Sequence, residues 1–223
     1  MNPDHTFRTV LLIWILLWFP VAFLYRARSL ASREKLDRRQ EGLPILVTLR
    51  PLGGVCLLGI IAFLVKPSSM SWSSLPLPLW LRWVGLGIGV IGAVLSLSTL
   101  HNLGKNLTDT VVTRQEHQLV TTGPYRWVRH PFYDAVLLCV LTVSLLMANW
   151  FIFVTGCSVF ALQVIRTRRE EQQLLARFGE RYLAYTRQTG GFLPRIRPHQ
   201  TMCMQLKTTN ELGAAEPQPK KRE

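Results

Sequence analysis

The sequence has no CxxC spacing, few acidic residues and little charge of either sign. Its four cysteines, Cys56, Cys139, Cys157 and Cys203, stand singly, which argues against a zinc site, a thiol redox pair or a disulfide scaffold. No metal site is expected. Only 17% of the 223 residues are charged, 13 acidic against 26 basic. That is thin for a soluble domain of this length, while a hydrophobic content of 48% argues against disorder throughout. The apolar residues are clumped, so lipid is the expected solvent. A net charge of +13 raises the question of nucleic acid, which the placement of the basic residues answers.

A bilayer core about 30 Å thick needs roughly 20 apolar helical residues, with a lower limit near 17. Uncharged runs cover Thr9–Tyr25, Pro51–Val65 and Trp83–Leu100, and the second extends back to Leu43 if Arg50 is tolerated near one end. The longest, Pro131–Ile165, has 35 residues and a single charge, Asp134. As one rod it would reach about 50 Å, so it reads as a hairpin of two short spans. Its turn is expected near Ala148-Asn149-Trp150. The expected fold is all-α and polytopic, with about five transmembrane helices. One basic residue precedes the first run, many follow it, and no small-x-small site is present, which favours an anchor over a cleaved signal peptide.

Segments 26–50, 101–130 and 166–223 hold seven, four and twelve basic residues, against three in 1–8 and 66–82 together. An odd number of spans puts the three rich segments on one side, which the positive-inside tendency makes cytoplasmic. The N-terminus is then outside and the C-terminus cytoplasmic. Topology and anionic lipid account for the basic excess, so no nucleic-acid partner is expected.

Gly87-Ile-Gly89-Val-Ile-Gly92 matches the GxGxxG pattern of dinucleotide-binding folds, but that pattern has meaning only between a strand and a helix. Within a span, small residues at Gly85/Gly89 and Gly89/Ala93 instead let neighbouring helices approach closely.

The cytoplasmic loop His117-Gln-Leu-Val-Thr-Thr-Gly123-Pro-Tyr125-Arg-Trp-Val-Arg129-His130-Pro131-Phe-Tyr133 ends on a span. Pro131 suits the first turn of a helix, which places Arg129 and His130 at the membrane surface. By composition this is an anchor belt or a site. Beyond the fifth span, Arg166 and Glu170 lie at i and i+4 on one face. Arg166 is the first charge after 31 uncharged residues, at the lip of the bilayer where ionisable groups are usually functional. Leu174, Leu175, Phe178, Tyr182 and Tyr185 recur at helical spacing, giving an amphipathic cytoplasmic helix that lids a site or packs on the bundle.

From roughly Leu81 to Pro198 the chain resembles the isoprenylcysteine carboxyl methyltransferase family. The resemblance rests on Leu-Gly-Lys-Asn-Leu-Thr at 103–108, His-Gln-Leu-Val at 117–120, Gly-Pro-Tyr at 123–125, Arg-His-Pro-x-Tyr at 129–133, Glu-Glu at 170–171 and Phe-Gly-x-x-Tyr-x-x-Tyr at 178–185. It implies an integral membrane enzyme of the EC 2.1.1 class using S-adenosyl-L-methionine. It divides the chain into two N-terminal spans with a basic loop (1–80), a methyltransferase core (81–198) and a disordered tail (199–223). His117, Gln118, Leu119, Val120, Tyr125, His130, Pro131, Phe132 and Tyr133 would line the cofactor pocket, and Glu170 would face its ammonium. Arg166 would bind the carboxylate of a lipophilic or prenylated acceptor, with Arg129 beside it as the second catalytic cation. Many members of that family have a small residue, often glycine, where this chain has Ala135, preceded here by Asp134, which either meets Arg129 or His130 or is a surface substitution.

An ionised carboxylate needs no general base, only alignment with the sulfonium methyl and exclusion of water. An amine acceptor such as a phospholipid headgroup would need one, and His130 is the nearest. An NADPH-dependent membrane reductase and a non-catalytic scaffold are the readings from other classes. The chain ends without a CaaX box, so it is not expected to be prenylated itself, and five short spans suit a bacterial inner membrane.

Overall fold

The computed structural model describes residues 3–30, 43–103 and 119–195. The order is α1 (Pro3–Leu30), α2 (Leu43–Val65), a 3-10 turn (Pro67–Ser73), α3 (Leu79–Leu103), a second 3-10 turn (Gly123–Arg126), α4 (Pro131–Met147), α5 (Trp150–Phe178) and α6 (Glu180–Gln188). Among the described residues there are no strands, only two isolated bridges, Ser74 with Asn149 and Val128 with Gly190. The architecture is the all-α, polytopic one expected. Val47–Val65, Leu79–Leu103 and Trp150–Phe178 are long and apolar enough to cross a membrane, and Pro131–Met147 is a shorter apolar helix. Leu16, Leu17, Leu58, Val90, Ile91, Val94 and Val154 point outward, exposed, as side chains facing acyl chains do.

The most extensive helix pairing is α3 with α4, and glycine makes it possible. A Cβ at Gly85 would lie 2.7 Å from Leu145 Cβ, one at Gly89 2.7 Å from Thr142 Cγ2, and one at Gly92 3.0 Å from Leu138 Cβ. Gly87, the remaining glycine of the GxGxxG match, faces open space. The pattern is therefore a packing seam at i, i+4 and i+7, in which small residues let two backbones close on one another.

The hairpin of α4 and α5 turns where the sequence predicts. Ala148 takes a left-handed conformation (φ 48°) as the C-cap of α4. Asn149 is the N-cap of α5: its Oδ1 accepts from Ile152 N at 3.1 Å and its Nδ2 donates to Ser73 Oγ at 2.7 Å. One buried side chain thus caps a helix and ties the turn to the 3-10 segment after α2. Asn149→Ala removes the cap and the donor to Ser73 Oγ, whose own hydrogen bond to Met70 O remains, an expected loss of about 1–3 kcal/mol. Thermal unfolding in detergent checks this, and an unchanged midpoint would exclude the role.

At the same end of the bundle, Arg82 of α3 is 4% exposed. Its Nε and Nη2 donate to Leu146 O at 3.1 and 2.6 Å, and its Nη1 to Asp4 Oδ1 at 2.9 Å. The guanidinium lies 4.0 Å above the Phe7 ring centroid. A cation at the carbonyl end of α4 opposes the helix dipole, and α1, α3 and α4 are joined through it.

The amphipathic stretch from Leu174 to Tyr185 is expected as one helix, but the structure divides it. Gly179, at φ 52°, ends α5 and starts α6. A residue without Cβ takes that conformation at little cost, and the break redirects α6 so that Tyr182 and Tyr185 are buried.

Candidate active site

The opposite end of the bundle gathers the start of α4, the distal part of α5, α6 and the loop before α4. Gly123 has φ 59°, and a Cβ there would collide with the side-chain amide of Asn102 in the last turn of α3. Only glycine lets the Gly-Pro-Tyr turn sit so close to α3. Pro124 is buried, and Trp127 N and Val128 N both donate to its carbonyl, at 3.1 and 3.2 Å. The chain then arrives at Arg129 extended enough to pair with the segment after α6. Gly190 N donates to Trp127 O at 3.2 Å, Arg129 N to Gly190 O at 2.9 Å and His130 N to Gly191 O at 3.1 Å. A short backbone strap, 189–191, is thereby fixed across the entry to α4.

Two arginines, a histidine, two glutamates and a tyrosine meet under this strap. Arg129 Nε donates to Glu171 Oε1 at 2.8 Å, and its Nη1 to Thr189 O at 2.8 Å. His130, buried, has Nε2 at 3.1 Å from Glu171 Oε1 and Nδ1 at 4.0 Å from Glu170 Oε2. An ionised carboxylate only accepts, so Nε2 carries the proton in the shorter contact. Tyr133 Oη donates to Glu170 Oε1 at 2.6 Å, and Arg166 Nε lies 3.3 Å from the same oxygen. Glu171 lies beyond Ile165, the last residue of the apolar run in α5. The hydrogen bond from His130 and, after it, Arg129 hold its carboxyl down at about 2 against the opposing effect of burial. Glu171 is therefore ionised at any physiological pH.

The tyrosines of α6 close the cluster from the solvent side. Tyr185 Oη donates to Tyr125 O at 2.6 Å, and burial pushes its phenol up to about 12, so it remains a donor. Tyr182 is 3% exposed, and burial, then the nearby Glu171, raise its phenol as well. Its hydroxyl has no hydrogen-bond partner among the described residues. Phe192, just past the strap, has its ring 5.5 Å from that of His130 and 6.3 Å from that of Phe160 on α5.

Two cavities flank the cluster. One, about 260 Å³ and apolar, lies between helices and is lined by Trp18, Ile60, Phe132, Val136, Cys139 and Gly156 among others. The other, about 490 Å³ and polar, is bounded by Leu119, Thr121, Arg126, Arg181, Tyr185 and Thr189 among others.

The structure thus brings together Arg129, His130, Tyr133, Arg166 and Glu170 of the expected site residues. Pro131 is the buried first residue of α4. Phe132 turns instead to the apolar cavity, Leu119 borders the polar recess, Val120 beside it is half-buried, and Tyr125 takes part through its carbonyl. His117 and Gln118 lie outside the described residues, as does the tail 199–223. Residues that the motifs did not single out for the site are Glu171, Thr189, the Gly190-Gly191 strap and Phe192. The second glutamate of Glu-Glu and the tyrosine spacing of α6 were visible signals. The strap acts through its backbone, which no side-chain pattern announces. Ala135 is 2% exposed and borders the apolar cavity.

Fold and cluster together define a polytopic helical membrane protein with a charged site at one bundle end, set beside an apolar cavity between its helices. Residues 84–176 match the family model described as the Isoprenylcysteine carboxyl methyltransferase (ICMT) family, the family that the motifs resemble. It is 31% identical over 129 residues to the protein-S-isoprenylcysteine O-methyltransferase of Homo sapiens, covering 56% of this chain and 45% of that one. It is also 31% identical over 117 residues to the cobalt-zinc-cadmium resistance protein CzcN of Cupriavidus metallidurans, covering 52% of each. The chain spans about half the length of these curated relatives. A solved structure of the eukaryotic intramembrane Ras methyltransferase ICMT superposes with a TM-score of 0.59 at 21% identity, covering 88% of this chain and 69% of that chain. That likeness establishes the fold.

The donor set suits a sulfonium amino acid. Glu170 offers a carboxylate to an ammonium, and Tyr182 holds a buried hydroxyl without a partner among the described residues. The polar recess beside Tyr185 has room for a nucleoside-sized group.

Proposed function

We propose that the protein transfers a methyl group from S-adenosyl-L-methionine to the carboxylate of a lipophilic, isoprenylcysteine-like acceptor at the cytoplasmic face of the membrane. The observation that carries this reading is the meeting of an arginine at the end of a span, Arg166, with a paired carboxylate, Glu170, 3.3 Å away. The apolar cavity, which begins at Phe132 and Ala135 near the start of α4 and runs toward the middle of the bundle, fits an isoprenoid chain.

S-adenosyl-L-methionine, when bound, supplies an electrophilic sulfonium methyl. Glu170, held by Tyr133, would face the ammonium of that cofactor, and Leu119, Val120, Tyr125, His130, Pro131 and Tyr133 would shape its surroundings, with His117 and Gln118 as further candidate contacts; Phe132, which borders the apolar cavity, would meet the acceptor chain instead. Arg166 holds the acceptor carboxylate with its planar fork of donors. Its hold must stay moderate, because over-stabilising the nucleophile lowers the ground state. Arg129 acts by position: it fixes Glu171 and the strap, so the entry to α4 and the covering segment move as one body. No general base is needed for a carboxylate that is ionised near neutral pH. The host membrane on this reading is a bacterial inner membrane, with the N-terminus outside and the C-terminus cytoplasmic.

Purified protein incubated with methyl-labelled cofactor and N-acetyl-S-farnesylcysteine should yield a product that releases labelled methanol on base treatment. Label that survives base and stays in phospholipid would establish amine methylation and overturn the carboxylate reading. Binding of NADPH in place of the sulfonium cofactor would overturn both.

A further inference from the structure

Gln163 is a polar residue inside the apolar run of α5, three residues before Arg166. It is half-buried, and its Oε1 is shut off from solvent with no hydrogen-bond partner among the described residues. An amide oxygen in that condition, at membrane depth, is costly to keep, and intramembrane polar groups usually face an interior site.

Helical periodicity shows which site. Gly156, Gln163 and Glu170 are spaced by seven residues and lie on one face of α5, with Arg166 between the last two. Gly156 lines the apolar cavity, and Glu170 belongs to the charged cluster. Phe160, one turn nearer the cavity, reaches Phe192 and through it His130, so this stretch of α5 looks across at the entry to α4. Gln163 therefore stands between the cavity for a lipophilic chain and the arginine for a carboxylate, about 4.5 Å along the helix axis from Arg166.

We infer that Gln163 is a specificity-determining residue whose Oε1 accepts a hydrogen bond from an N–H or O–H group next to the acceptor's carboxylate. The inference rests on the proposed carboxyl methyl transfer. It adds a requirement that the arginine and the cavity alone do not impose: an acceptor with an amide N–H beside its carboxylate is preferred over an otherwise equal lipophilic acid. A site that hydrogen-bonds a substrate group discriminates against an analogue lacking it, because its own polar atom is then left unpaired.

Two acceptors separate the contributions. N-acetyl-S-farnesylcysteine carries the amide N–H, and S-farnesyl-3-thiopropionic acid is the same molecule without the acetamido group. Both are assayed with wild type and with Gln163→Leu, a change that a membrane helix accommodates readily. Binding of S-adenosylhomocysteine to each protein reports that the site is folded.

The expected result is a kcat/KM for the amide-bearing acceptor at least roughly tenfold lower in Gln163→Leu, with the amide-free acid unchanged or improved and the preference between the two abolished. An equal fall for both acceptors, or loss of S-adenosylhomocysteine binding in the variant alone, would show a structural role and overturn the inference. So would an unchanged preference. A folded wild type that methylates neither acceptor would instead overturn the proposed activity, and the inference with it.

Discussion

Arg166→Ala is expected to lower methyl transfer by two to three orders of magnitude while the protein remains folded. Arg166 is the first charge after the apolar run of α5, its side chain is 12% exposed, and its Nε lies 3.3 Å from Glu170 Oε1. On the proposed reading it positions the acceptor carboxylate in a site poor in water. Removing one such preorganised group from an active site typically costs about 10²–10³ in rate. Arg166→Lys keeps the charge but loses the planar fork, so an intermediate loss is expected. Glu170→Ala should act differently, weakening cofactor binding and leaving Tyr133 without its acceptor. Steady-state kinetics in detergent or nanodiscs, with equilibrium binding of S-adenosylhomocysteine, distinguishes the two variants. Full activity in either would remove the role assigned to that residue.

The second large effect concerns stability. Arg82→Leu should destabilise the bundle by about 3 kcal/mol, because two charge-assisted donors to a buried carbonyl and a cation–π contact are lost together. Asp4→Asn should cost far less, since the Asp4 side chain is 48% exposed and a half-solvated ion pair is weak. The comparison is the test. Thermal unfolding in detergent should rank Arg82→Leu well below both wild type and Asp4→Asn. Equal midpoints for the two variants would show that the Arg82–Asp4 pair, and not the carbonyl end of α4, dominates.

The helices were legible in the sequence to the extent that lipid dictates them. Apolar length and the positions of Arg8, Arg26, Arg50 and Arg82 mark the spans because charge is costly in hydrocarbon, and Asn149 marks a turn because it can cap a helix with its own side chain. The spacing of the glycines of α3 marks them as packing residues, though it does not identify their partner, α4. The Arg-His-Pro-x-Tyr and Glu-Glu motifs announced the charged cluster, since their side chains are what meet there. Other features depend on relations that a linear pattern does not encode. The break at Gly179 is one conformational angle in an otherwise continuous amphipathic stretch. The strap at Gly190 and Gly191 works through peptide groups that every residue has. Arg82, read by charge counting, is a sparse cation outside the basic segments, and only its carbonyl partner 64 residues away reveals it as a staple.

The capped turn at Asn149 has a mechanical consequence for the distant site. The α3–α4 glycine seam holds α4 against its neighbour, so the angle at which α5 leaves α4 is set at that turn, together with the packing of α5 on α2. Tyr133 and Glu170 lie far out along the two arms, roughly 24 and 31 Å from the pivot. A rotation of only about 3° there would move the tips apart by more than about 1 Å, a displacement of the size that costs catalytic geometry about a hundredfold. Asn149 thus works as a calibration screw, setting from one face of the membrane how far a pair of jaws stands open at the other.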